Sequence, residues 1–145
     1  MTDRKEPPME EPLNLVLFSG TDDRLQAAAV LTAGAAALGK PVNLFLQYWA
    51  LDAFRRDRID QDHGLAPEAG AEGRAHVDDL RRAGQVSWAE VMRQAKDLGE
   101  VDIQACSLSM DLLHIDEADL DPLVDGVEGV TAFYLNAGSG HMVFI

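Results

Sequence analysis

The apolar positions of this chain fall into two rhythms. Leu13-Asn-Leu-Val-Leu-Phe-Ser19 is short and almost continuously apolar, then meets a turn signal at Gly20, which predicts a strand buried on both faces. Val42-Asn-Leu-Phe-Leu-Gln47 and Val101-Asp-Ile-Gln-Ala105 repeat that pattern. Between the first two lies DRLQAAAVLTAGAAALG, dominated by small residues until Gly39 and Pro41 stop it, with Thr21 and Asp22 suited to a helix N-terminus. Its alanines leave a smooth surface for close packing on a sheet or another helix. Gly34 costs roughly 1 kcal/mol of helix propensity relative to alanine, so its presence predicts a close approach there.

A second helical rhythm runs through SWAEVMRQAKDLG. Ser87 is the expected N-cap, Glu90 completes a capping box, and Trp88, Val91, Met92, Ala95 and Leu98 form a core-facing stripe. Further on, short helices are expected from about Ser109 to Leu113 and over Asp116 to Val124. A fourth strand is expected over Gly129–Leu135 and a last one over His141–Ile145.

Strands alternating with helices in this way predict one α/β domain over residues 13–145, a three-layer α/β/α sandwich with a mainly parallel five-stranded sheet. In such sheets sites gather at the carboxyl ends of the strands. That rule places Ser19–Asp22, Tyr48–Leu51, Cys106–Met110 and Asn136–Ser139 along one rim. Residues 1–12, charged and carrying Pro7 and Pro8, read as a disordered tail. Residues 54–85 are rich in charge, glycine and alanine with little apolar periodicity. They read as a mobile insertion with one or two short helices, either a lid over a site or plain surface.

Composition narrows the function. The chain of 145 residues carries a net charge of −13, against the basic footprint that nucleic-acid binding needs. A basic partner protein would be attracted. Its single cysteine permits no internal disulfide. The opening MTDRKEPPMEEP lacks the apolar core of a signal peptide, and no apolar run approaches the roughly 20 residues that span a bilayer, so a cytoplasmic location without a membrane span is expected.

Cys106 is the informative residue for chemistry. It stands where a strand turns into a helix, and the N–H groups of that helix start, with Ser107 and Ser109, would favour a thiolate. A buried, inert cysteine fits the same sequence. His63, His76, His114 and His141 form no recognisable hydrolase motif with it, and Ser109 stands where a Cys-x-x-Cys redox pair would need its second thiol. The turn SGTDD lacks the glycines and lysine of a phosphate loop, and its two aspartates would repel an anion. No cysteine or histidine set has zinc spacing, and the acidic run from Asp116 to Asp125 lacks calcium-loop spacing, so neither metal nor cofactor is expected.

LNLVLFSGTDDRLQAAAVLTAGAAALGKPVNLFLQYWAL and the later VDIQACSLSMDLL together resemble the DsrE/DsrF-like family, in its branch of small DsrE-like proteins sometimes labelled peroxiredoxin-like. That resemblance implies a flavodoxin-like, DsrE-like fold, homo-oligomers that are trimers or hexamers, and sulfur handling through a cysteine persulfide, with Cys106 matching the sulfur-carrying cysteine. It implies sulfur donors and acceptor thiol proteins as partners, such as a small basic sulfur carrier or a rhodanese-like protein. Ser107, Ser109 and Met110 would support the thiol, and Ser19, Gly20, Tyr48 and Trp49 would wall the pocket. His114 departs from the pattern, standing where relatives of this branch usually have glycine. The expected function is a sulfurtransferase-like carrier that accepts sulfane sulfur on Cys106 and passes it on. The alternatives are a non-catalytic oligomeric ligand-binding or scaffold protein with a structural cysteine, and a thiol redox sensor.

Overall fold

In the computed structural model, residues 11–145 are described, so all but the end of the expected tail lies outside the described residues. The chain runs β1 (Leu13–Leu17), α1 (Asp22–Ala37), β2 (Val42–Leu46), α2 (Tyr48–Ala53), α3 (Gly70–Arg82), α4 (Trp88–Leu98), β3 (Val101–Cys106), α5 (Ser107–Leu113), β4 (Gly126–Glu128), α6 (Val130–Ala137) and β5 (Met142–Phe144). The five strands form one sheet in the order β4-β3-β2-β1-β5, every pair parallel. Parallel neighbours need crossovers, and the helices between strands supply them.

One face of the sheet is oily and closed. Leu15, Leu17, Leu44, Leu46, Ile103 and Ala105 alternate onto it and meet Leu25, Ala28 and Ala29 of α1 and Trp88, Ala89 and Met92 of α4. Small side chains on α1 let α4 come close; a Cβ on Gly99 would lie 3.0 Å from the Ala36 carbonyl. Gly34 is not such a contact, because a Cβ there would meet nothing within 4 Å and the residue faces solvent. Along α4, Trp88, Met92 and Ala95 are buried as expected, whereas Leu98 is exposed. Ser87 Oγ accepts the Glu90 N–H at 3.2 Å, but the Glu90 carboxylate pairs with Arg93 instead of closing the capping box.

The other face carries one short helix. Phe133 of α6 stacks on Phe45 of β2 with ring centroids 4.7 Å apart. At the amino ends of the strands the fully buried Asn14 ties this helix down: its Nδ2 donates to the Ala137 and His141 carbonyls at 3.2 Å, and its Oδ1 accepts from Asn43 at 3.1 Å. The strand expected over Gly129–Leu135 is therefore a helix, and β4 lies just before it. GVTAFYL is β-branched and aromatic, which favours a strand by propensity; stacking on Phe45 decides otherwise. The correction moves Asn136–Ser139 to the amino edge of the sheet, opposite the rim where they were expected, and Ser139 Oγ there donates to Glu11 at 2.7 Å. The helix expected over Asp116–Val124 is reduced to one 3-10 turn at Glu117–Asp119.

Residues 54–85 contain the short helical elements expected of them, a 3-10 turn at Pro67–Ala69 and α3. Arg74 reaches Asp62 at 2.5 Å, and Arg81 reaches Asp22 at 2.7 Å and Asp62 at 3.4 Å. Asp22, itself buried, also accepts from the Trp88 indole at 2.9 Å and the His63 N–H at 3.0 Å, so the residue expected to cap α1 instead organises this segment.

Candidate functional site around Cys106

Cys106 is the last residue of β3 and the N-cap of α5, at the carboxyl edge of the sheet as expected. β3 alternates, so Ile103 and Ala105 point to the closed face and Cys106 to the face under α6. There it packs with Phe45, Phe133 and, at the margin, Val16, and is only 5% exposed. Beside it a groove of about 240 Å³ runs over Val16, Phe45 and Phe133 to Met142 and Phe144 of β5. The thiol thus sits against the aromatic wall of an open apolar groove.

Register adds a residue that no sequence motif signalled. Cys106 pairs with Glu128 across β3 and β4, so both side chains leave the sheet on the same face. The Glu128 carboxylate accepts from Asn136 of α6 at 3.4 Å. Burial, and then the nearby charge of Asp102, push its carboxyl above the ordinary 4.5, with the Asn136 bond opposing. Register thus sets a partly buried carboxyl on the strand next to the thiol. Only the correct placement of β4 could have found it.

The structure joins several of the other candidates. Buried Ser109 accepts the Tyr48 N–H on its Oγ at 3.2 Å, coupling α5 to the start of α2. Tyr48 adopts a left-handed backbone, φ 42°, and its ring lies 5.2 Å from Phe18. Gly20 is obligatory where it stands, because a Cβ would run into the Trp49 carbonyl. Ser19 Oγ lies 3.3 Å from Thr21 Oγ1 and accepts from Arg24 at 3.4 Å. Ser107 opens α5, with its Oγ facing Gly129. Met110 is core, and Trp49 is exposed. His114 stands apart at the far end of α5, in the left-handed conformation, φ 54° and ψ 45°, that explains glycine at such a position. Among the described residues, no three metal-ligating side chains converge, and no helix is long and apolar enough to cross a membrane.

A five-stranded parallel sheet with a cysteine ending one strand beneath a covering helix defines a three-layer α/β protein with a thiol at its carboxyl rim. The chain belongs to the DsrE/DsrF/DrsH-like family, whose model matches residues 9–82. Over 87% of this chain and 91% of the other, it is 26% identical to the uncharacterized protein YrkE of Bacillus subtilis (strain 168). The protein of unknown function MTH1491 from Methanobacterium thermoautotrophicum shares the fold, with a TM-score of 0.59 and 13% identity over 94% of this chain and 100% of that one.

Proposed function

We propose that the protein is a sulfur carrier that holds sulfane sulfur as a persulfide on Cys106. The observation that supports this reading is the pairing of Cys106 with Glu128 at the carboxyl edge of the sheet. The Cys106 thiolate attacks the outer sulfur of a donor persulfide. A new sulfur–sulfur bond forms at Sγ, the donor's own breaks, and the donor leaves as a thiolate. The Glu128 carboxylate takes the proton that the Cys106 thiol gives up on becoming the thiolate and, then a carboxylic acid, returns it to the leaving thiolate. The exchange balances without an external oxidant, and the reverse step loads an acceptor thiol. Ser107 and Ser109 steady the sulfur-bearing turn, and Ser19, Gly20, Tyr48 and Trp49 shape the rim through which a partner reaches it. The acidic surface, with a net charge of −13, suits a basic carrier protein. Exposed Tyr134 and Leu135 on α6 and Phe144 on β5 support a homo-oligomer that covers them.

A second reading, a structural cysteine in a non-catalytic protein, is favoured by the burial of Cys106 among Phe45 and Phe133. Alkylation separates the two. A carrier thiol reacts with iodoacetamide in the native state, faster at higher pH, and protein preloaded with polysulfide and freed of excess returns sulfur to an added thiol. Alkylation only after denaturation, with no sulfur returned, would leave the structural reading.

A further inference from the structure

A cavity lies away from Cys106, on the α1 and α4 side of the carboxyl rim. Its volume is about 440 Å³, within the range of small-molecule sites. Ile59, Leu65 and Trp88 line it from the body of the protein, and Val77 and Leu80 from α3. That helix poses a physical problem: none of its 13 residues is buried. A helix ordinarily docks by covering an apolar stripe, whereas this one is held by its arginines, Arg81 on Asp22 and Asp62 and Arg74 on Asp62. Exposed ion pairs contribute little, so the apolar contact that would seat α3 is missing and the gap where it belongs is this cavity.

Charge selects the occupant. Four aspartates, Asp22, Asp23, Asp60 and Asp62, line the cavity against one arginine, Arg81. Asp22 and Asp62 are committed to Arg81, and Asp23 to the Ala66 N–H at 3.2 Å. Asp60 is the least committed, with its side chain 72% exposed and its one ion pair a long 3.6 Å to Arg93. We infer that this cavity is a binding site for a small organic amine, its apolar body seated between Trp88 and the Val77–Leu80 stripe of α3 and its ammonium group facing Asp60. An occupant of this kind supplies the packing that α3 lacks. It is independent of Cys106 and of the sulfur-carrier reading.

Trp88 reports the test once the other tryptophan is removed by Trp49→Phe in the full chain. The variant is titrated with n-hexylamine and 2-phenylethylamine, and with hexanoate and phenylacetate as anionic counterparts. The expected result is a saturable change in Trp88 emission with at least one amine, half-saturating at a concentration about ten-fold lower than its carboxylate counterpart. Slower amide exchange across Gly70–Arg82 should accompany it. Asp60→Asn, at an exposed position that leaves the fold intact, should erase most of the preference for the amine. Equal response to amines and carboxylates, no saturable response to either amine, or an unchanged preference in Asp60→Asn would overturn the assignment.

Discussion

At the scale of single residues, glycine and carboxylate positions give the sharpest consequences. Gly34 sits in the exposed middle of α1 with open space where a Cβ would be. Gly34→Ala should therefore stabilise the fold by roughly 0.5–1 kcal/mol, read as a raised Tm, and a loss of stability would mean that this surface is covered in solution. Glu128 contributes a pH dependence opposite in sign to that of Asp62, whose carboxyl the Arg74 hydrogen bond holds below the usual carboxylate range. The Glu128 carboxyl titrates above 4.5 in the folded chain, so the fold bears no penalty below that value and loses stability as pH rises through the raised one. Glu128→Gln should accordingly raise Tm relative to the unmodified protein at about pH 7 and much less at about pH 4. A Tm difference that stays the same across that range would remove Glu128 from the pocket chemistry. Cys106, Ser109 and Gly20 were legible as rim residues because strand ends and turn signals are local in sequence. Glu128 was not, since its pairing with Cys106 depends on a register contact between strands more than 20 residues apart.

At the scale of elements, the two faces of the sheet differ in how much the sequence discloses. The closed face follows from alternation and from the α1 and α4 stripes, and it was read nearly as found. The open face depends on where α6 sits, and there propensity pointed to a strand. What overrules it is tertiary: the Phe45–Phe133 stack at one end and the hydrogen bonds of Asn14 at the other. Asn14, buried in β1, is the tether that keeps α6 over Cys106. Asn14→Ala removes buried or part-buried side-chain hydrogen bonds to Ala137, His141 and Asn43, at a cost of about 1–3 kcal/mol. The His141 carbonyl keeps the residue-14 backbone N–H, the Ala137 carbonyl keeps the Gly140 N–H and the Asn43 amide keeps the Asn136 carbonyl. Native-state alkylation of Cys106 should speed up in the same variant, because the Phe133 wall loosens with the helix. Destabilisation with unchanged alkylation would show that α6 does not govern access. Within 54–85 the short helices were expected, but their bounds and contacts were not legible. The order of this segment comes from ion pairs to Asp22 and Asp62, which leave no apolar rhythm.

At the scale of the whole molecule, the sheet arranges two distinct regions along one carboxyl rim. Cys106 and Glu128 lie under α6 on one side, and the acidic cavity under α3 lies on the other. The same strand ends feed both, since the turn after β1 places Gly20 against α2 and Asp22 against Trp88. The fold class and family were legible because strand–helix alternation runs through the chain and the motif from Leu13 to Leu51 falls inside the family match over residues 9–82. The measurement that bears most directly on function is intact-protein mass after incubation with polysulfide, run side by side on the unmodified protein and Cys106→Ala. A reductant-labile gain of sulfur in the unmodified protein alone is expected. No gain, or an equal gain in Cys106→Ala, would contradict a sulfur-carrying Cys106.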